Sequence, residues 1–334
     1  MLKRFSPLML ILTLLLIPAF LVGLALGSVF FSPTQLIAAL RDTEGTTALI
    51  LFEIRLPRLL LGMAVGAALA VSGAAFQGIF RNSLADPYVI GASSGAALGA
   101  TIAVSAGLTF VGPVSPISLC AFCGALIAVA LAFIIARSAG NQSPVTALLL
   151  AGTALSALFS SLLSLILLLK DQAFQRVYFW LLGSLNGTTW SALPAVLPVM
   201  ALGCLIVFLH ARPLDLLLQG EDVAESLGLE VRKTRAVIAF GAALATAAAV
   251  SASGVIGFVG LIAPHTMRLL IGPSHKRLLP SSALAGALLV LVADCVARSA
   301  AGSLELPIGI ITSLCGAPFF IWLLIRHSGR IGRL

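Results

Sequence analysis

The sequence predicts an all-α polytopic membrane protein of ten transmembrane helices, with both termini on the cytoplasmic side. Three observations carry this expectation. Of the 334 residues, 60% are hydrophobic and only 10% charged, whereas ordinary soluble domains carry about 25% charged residues. The apolar residues gather in runs near the roughly 20 residues needed to cross a hydrocarbon core. The basic residues between those runs are distributed unevenly, as membrane orientation requires.

Taken in order, clean runs fall at 8–31, 59–80, 88–111, 114–136, 145–169, 189–211, 278–297 and 306–325. Lys3 and Arg4 precede the first run. It is longer than the 7–15-residue core of a signal peptide, so an uncleaved first helix is expected. Arg81-Asn-Ser-Leu-Ala-Asp86-Pro87 follows the second run as a compact connector. In it, Asn82 is expected to end one helix in the left-handed region. Asp86 and Pro87 are expected to cap and open the next. Gly91, Gly95 and Gly99 then recur every four residues, a ridge for close helix packing.

The stretch 236–271 is too long for one crossing, since 36 helical residues would reach about 54 Å. It contains Ser251-Ala-Ser-Gly254 and Pro264, both breakers. The loop before it carries Arg232, Lys233 and Arg235; the loop after it carries Arg268, Lys276 and Arg277. Both loops belong inside, so the chain is expected to cross twice between them, as one full helix and a short returning one. The total is then ten. On this topology Lys3, Arg4, Arg81, Arg137, Arg212, Arg232, Lys233, Arg235, Arg268, Lys276, Arg277, Arg326, Arg330 and Arg333 lie inside. Arg41, Arg55, Arg58, Lys170, Arg176 and Arg298 lie outside. Residues 1–334 form a single transmembrane domain whose longest polar stretch is the cytoplasmic loop 212–235.

Several function classes are excluded by the same residues. A net charge of +8 on so apolar a chain marks cytoplasmic loops, and no nucleic-acid partner is expected. The five cysteines (120, 123, 204, 295, 315) lie in apolar runs, where thiols act as small hydrophobes; no metal site is expected. The four histidines (210, 265, 275, 327) lack metal-ligand spacing. None of the four lysines closes a phosphate-binding Gly-rich loop. The chain is expected to hold no cofactor, to catalyse no reaction and to hydrolyse no ATP itself.

The polar residues that remain are few. Arg55-Leu-Pro-Arg58 and Arg298 stand on the outer side, where basic residues are scarce. They read either as a cationic surface for an acidic partner or as interfacial anchors. Asp294, the one acid placed within a helix, stands four residues before Arg298, in reach of an i, i+4 pair. Gln77 reads as interhelical glue. In the cytoplasmic loop, Gly220 and Gly228 bracket a short helix containing Glu221, Asp222, Ala224, Glu225 and Leu227. Its apolar stripe is expected to be Leu217, Val223 and Leu227, and a docking knob for a cytoplasmic subunit is the preferred reading over a solvated loop.

Together these segments resemble the permease subunits of binding-protein-dependent ABC importers for iron chelates, haem and cobalamin, the FecCD-type family. The resemblance runs through Arg55-Leu-Pro-Arg58, Gly66-Ala-Ala-Leu-Ala-Val-Ser-Gly73 with Gln77, and Arg81-Asn-Ser-Leu-Ala-Asp-Pro87. It continues through Leu148-Leu-Leu-Ala-Gly152, Trp180-Leu-Leu-Gly-Ser-Leu185 and Gln219-Gly-Glu-Asp-Val-Ala-Glu-Ser-Leu-Gly228. It closes with Gly257-Phe-Val-Gly-Leu-Ile-Ala-Pro-His265, Arg268, Asp294 with Arg298, Glu305-Leu-Pro-Ile-Gly309 and Gly316-Ala-Pro-Phe319. Ser83 departs from the family, which usually has proline there.

The resemblance implies a ten-helix subunit of the cytoplasmic membrane that dimerises, as a homodimer or with a close paralogue, around a central path. Two separate ATPase subunits, which bind the ATP, would sit inside and a substrate-binding protein outside. Arg55, Arg58 and Arg298 match arginines that receive glutamates of the binding protein, and 215–228 matches the segment that couples to the ATPase. Glu305, Pro307 and Gly309 would shape the outer mouth. A cytoplasmic gate would fall at Ser143, Pro144, Val145 and Thr146. The cargo would be a metal chelate; ferric siderophore is favoured by family breadth, with cobalamin and haem as alternatives. An ion-coupled secondary transporter is the rival class.

Overall fold

The computed structural model describes residues 5–27, 29–41, 45–108, 114–138, 144–170, 173–300 and 305–331. Among them the secondary structure is helical, with no strand. The helices are α1 (Phe5–Ala25), α2 (Pro33–Arg41), α3 (Thr46–Leu49), α4 (Leu56–Ile79), α5 (Ala92–Ser105), α6 (Pro116–Ser138), α7 (Pro144–Leu169) and α8 (Phe174–Leu181). There follow α9 (Leu193–Leu209), α10 (Ala211–Leu218), α11 (Glu221–Ser226), α12 (Val231–Ser253), α13 (Val259–Ile271), α14 (His275–Ser299) and α15 (Ile308–Ile331). A π-helical turn, Ile50–Arg55, leads into α4, and a 3-10 turn, Pro87–Ile90, precedes α5.

Each apolar run holds a helix, and the long stretch holds two. α12 stops at Gly254, whose φ is +66°. Phe258 (φ +67°) then opens α13. By length and composition, six helices among the described residues are able to cross a membrane, or seven if the α9–α10 pair, bent by 52°, counts as one. α5, α13 and the Ile308–Trp322 part of α15 are shorter apolar helices. Helix length alone therefore supports fewer crossings than ten.

Two local expectations in the connector after α4 change. The left-handed residue is Arg81 (φ +50°), not Asn82. The Asn82 side chain instead accepts the Leu84 N–H at 2.9 Å, an Asx-type turn. Asp86 caps the 3-10 turn by accepting the Tyr88 N–H at 2.8 Å. α5 itself starts only after Gly91 at φ +89°, which is why it is shorter than the apolar run around it.

α4 and α12 form the buried centre, with Val65, Ala70, Val71, Ala74, Phe76, Ile238, Ala242 and Ala249 inaccessible or nearly so. Between apolar helices in lipid, water exclusion supplies little, and close van der Waals packing through small residues must hold the bundle. A Cβ built on Gly73 would lie 1.7 Å from the Gly260 carbonyl oxygen of α13, and one on Gly66 would lie 2.2 Å from that of Gly286 in α14. The α5 ridge does the same against α6, with Gly95 on Gly124 and Gly99 on Cys120. Ser72 adds a hydrogen bond across the centre, donating to Ala242 O of α12 at 2.9 Å.

Candidate functional site

Two polar assemblies stand out, at opposite ends of the central helix α4. The first gathers the sequence-singled arginines. The π-helical turn places Arg55 at its end, and Arg58 follows in the first turn of α4. The Arg55 guanidinium donates to the carbonyl oxygens of Leu24, Ala25 (3.0 Å) and Val29 and lies 4.6 Å above the Phe31 ring. Arg298 donates to Leu26 O at 2.9 Å and Gly23 O at 3.0 Å. The final carbonyls of a helix have no intrahelical partner; these two arginines supply donors to that end of α1.

Arg58 stands between two carboxylates. Its Nε donates to Asp294 Oδ1 at 2.9 Å, with Nη2 at 2.9 Å from the same oxygen. Its Nη1 donates to Glu305 Oε2 at 2.8 Å. Asp294 in turn lies 2.8 Å from Arg298 Nε through Oδ2. Asp294 is thus shared between arginines of α4 and α14. Arg55, Arg58 and Arg298 are each only 3–5% exposed, so the chain alone does not present the open cationic surface expected from sequence. Charges inside a low-dielectric bundle are held by partners, and here α1 carbonyls, Asp294 and Glu305 provide them. Glu305 is the accessible member, its side chain 29% exposed.

Near the other end of α4, Gln77 joins that helix to α13. Its Oε1 accepts from Arg268 at 3.1 Å, and its Nε2 donates to Leu261 O at 3.4 Å. Pro307 lies just ahead of α15, and Gly309 lets that helix approach the Leu182 carbonyl.

The second assembly is the cytoplasmic segment. Gly220 (φ +118°) and Gly228 (φ +83°) bracket α11 in conformations that favour glycine. The expected stripe divides: Leu217 is buried in the core, whereas Val223 and Leu227 face outward at 45% and 63% exposure. The residue α11 buries is Ala224. The acids divide as well. Glu221 Oε1 accepts from the buried Arg235 of α12 at 2.6 Å and lies 3.8 Å from Arg81. Asp222 and Glu225 are exposed beside Val223 and Leu227. A pinned face and a free face result.

Asp215 of α10 opens the 215–228 segment, and the sequence assigns it no partner. Its carboxylate accepts from the Ser274 hydroxyl at 3.0 Å and from the His275 backbone N–H and ring Nδ1 at 2.7 Å each. It therefore caps α14 from another helix, satisfying an orphan N–H. A sequence signal existed only as an acid near a Ser-His helix start, 59 residues away.

Of the expected gate, Ser143 lies outside the described residues. Pro144 begins α7, and Val145 and Thr146 lie in its first turn. No group of three or more metal-ligating side chains occurs among the described residues.

The sequence model of the FecCD transport family matches residues 14–326. The chain belongs to this family. It is 45% identical over 279 residues to a cobalamin import system permease protein BtuC of Halobacterium salinarum, covering 84% of this chain and 74% of that one. It is 40% identical to the hemin transport system permease protein HmuU of Yersinia pestis, over 92% and 93% of the two chains. With the Fe(3+) dicitrate permease protein FecD of Escherichia coli it shares 42% identity, over 83% and 85%. A solved structure described as an inward-facing metal-chelate type ABC transporter superimposes with a TM-score of 0.83 at 34% identity, covering 95% of this chain and 98% of that one. The chain is a multi-pass permease subunit of an ABC importer in the cytoplasmic membrane.

Proposed function

We propose that the chain carries a metal chelate inward by alternating access, as one half of a dimeric path driven by two separate ATPase subunits and loaded by an outer binding protein. Ten crossings place both termini inside, with α5, α13 and α15 as short spans. The observation that carries the reading is the segregation of the two assemblies. All three arginines and Glu305 cluster at one end of α4, and α11 with its anchors Arg81 and Arg235 clusters at the other.

On the outer side, an acidic residue of the binding protein would compete with Glu305 for Arg58, the one pairing in the cluster that solvent reaches. On the inner side, Asp222, Val223, Glu225 and Leu227 form the face offered to the ATPase. Glu221 transmits its movement to α12 through Arg235 and to α4 through Arg81. ATP stays on the partner subunits, and this chain makes no covalent bond. Cargo is a chelate of the kind its relatives are named for, which include cobalamin, haem and ferric complexes. The deciding experiment compares uptake of labelled ferric siderophore, cobalamin and haem in cells with and without the gene. Loss of one uptake identifies the cargo; loss of none contradicts the reading.

A further inference from the structure

An apolar groove on the outside of the bundle leads to two unpaired cations. It has a volume of about 350 Å³ and lies between α6 and α12, lined by Leu126, Phe133 and Arg137 of the first and Ala236, Phe240 and Ala243 of the second among others. Arg137 is the one polar side chain among its described lining residues. Ile134 and Phe240, at 60% and 56% exposure, leave the groove open to the surroundings of the bundle. Both helices are long and apolar enough to cross the membrane, so those surroundings are lipid. The two run antiparallel: Ser115, just ahead of α6, and Ala252, near the end of α12, line a common recess at the opposite end.

Both helices carry the groove on into charge. Arg137 stands 4, 7 and 11 residues after Phe133, Ala130 and Leu126; Arg232 stands 4, 8 and 11 residues before Ala236, Phe240 and Ala243. Those spacings keep each arginine on the groove face of its own helix. Both are exposed, and neither side chain has a hydrogen bond or ion pair to another described residue. The acids at this end of α12 are already engaged, Glu221 by Arg235 at 2.6 Å and Glu230 by Lys233 at 3.6 Å. At about 1.5 Å per residue, Leu126 to Arg137 spans about 17 Å, close to half of a hydrocarbon core of about 30 Å. The groove is therefore about one leaflet long, with its cations at the headgroup end. On the proposed topology that end is cytoplasmic. A positive-inside excess explains basic residues at this level, but not an apolar channel of leaflet length leading to them.

We infer that this groove holds an acyl chain of an anionic glycerophospholipid of the cytoplasmic leaflet, whose phosphate Arg137 and Arg232 receive. Guanidinium groups suit phosphate oxygens, and basic pockets between membrane helices on this side select acidic headgroups. A zwitterionic lipid would bring its own ammonium beside two cations. The inference goes beyond the importer reading and takes only its leaflet from that topology. The test places the full chain, alone and with its ATPase, in phosphatidylcholine nanodiscs. These contain a trace of phosphatidylglycerol or phosphatidylcholine with a diazirine in one acyl chain, and crosslinked peptides are mapped by mass spectrometry. The phosphatidylglycerol probe should label residues 126–137 and 236–243 at least about fivefold more than the phosphatidylcholine probe, and unlabelled phosphatidylglycerol should compete it away. Arg137→Gln with Arg232→Gln should remove that preference, and Ala130→Trp, which fills the groove, should reduce labelling there by both probes. Equal labelling by the two lipids, labelling no denser in the groove than elsewhere on the chain, or a preference unchanged in the arginine variant would overturn the proposal. Exclusion of both probes from the groove in the assembled importer would overturn it as well, since protein then covers this face. If the arginine variant fails to fold, the competition and Ala130→Trp measurements still decide. Labelling of the chain alone is independent of transport, so failed ATP-driven uptake would count against the importer reading and not against this one.

Discussion

Glu305 lies 2.8 Å from the Arg58 guanidinium whose other edge is held by Asp294 at 2.9 Å. One arginine thus joins α4 to α14 through a buried acid and to the approach of α15 through a partly exposed one. In the whole cluster three cations face two anions, and only the Glu305 contact is open to exchange.

Removing that contact should favour an acidic partner. Glu305→Gln is expected to tighten binding-protein docking by up to about fivefold, the scale of an accessible ion pair, with a steeper salt dependence. Surface plasmon resonance on the nanodisc-embedded complex measures it. Weaker docking would show that Glu305 itself contacts the partner.

Asp294→Ala should act on stability instead. It takes the shared carboxylate from two arginines that are almost fully buried, leaving Arg298 with carbonyl partners alone, and breaking a buried pair from one side costs about 3–5 kcal/mol. Loss of folded yield and a lowered unfolding temperature in detergent are expected, with Glu305→Gln close to wild type. For the same reason, reversing charge at Arg55, Arg58 and Arg298 together is expected to destroy assembly as well as docking.

On the inner side, the acids of α11 should separate by phenotype. Asp222→Lys with Glu225→Lys is expected to keep the fold and reduce ATPase co-purification. Glu221→Gln is expected to keep co-purification but weaken ATP-driven transport, because it loosens the link to Arg235 and Arg81. Identical behaviour of the two variants in pull-down and uptake assays would argue against a pinned and a free face.

Asp215 predicts an acid-side stability loss. Burial pushes its pKa up, but hydrogen bonds from the His275 ring and backbone and from Ser274 outweigh this, and the group ends below the usual carboxylate range. A lowered folded-state value means the capping contribution is fully present above the unfolded pKa of about 3.9. It disappears as pH falls from there through the folded value. Thermal melts of wild type and Asp215→Asn should therefore differ at pH 7 and begin to converge only as pH falls below about 4; a constant difference would exclude the linkage.

The glycine contacts give a sharper contrast. Gly73→Ala forces a Cβ into the Gly260 carbonyl, whereas Gly107 has φ +63° with nothing nearby. The first should abolish folded yield. The second should cost only the left-handed strain of about 1–2 kcal/mol, read as a modest shift in melting temperature.

What the sequence made legible follows from local physics. Apolar runs located every long helix, the break at Gly254 followed from a Ser/Gly interruption, and Gly220 and Gly228 marked α11 because a turn needs their freedom. The Asp294–Arg298 spacing showed one ion pair. Its partner Arg58 lies 236 residues away, and nothing local announces such a contact. The burial of the arginines was illegible for the same reason, since the α1 carbonyls that hold them carry no sequence signature. The split of α11 depended on which of its faces meets α12, a tertiary choice that made Ala224, not Val223 or Leu227, the core residue.

On the proposed reading this chain imports a chelate under power from a separate ATPase. The most direct measurement is accumulation of a labelled metal chelate in proteoliposomes holding the chain, its ATPase and its binding protein, with and without ATP and with imposed proton or sodium gradients. Uptake that needs ATP and all three proteins, and ignores the gradients, is the predicted result. Uptake driven by an ion gradient without ATP would contradict it and make the chain a secondary transporter.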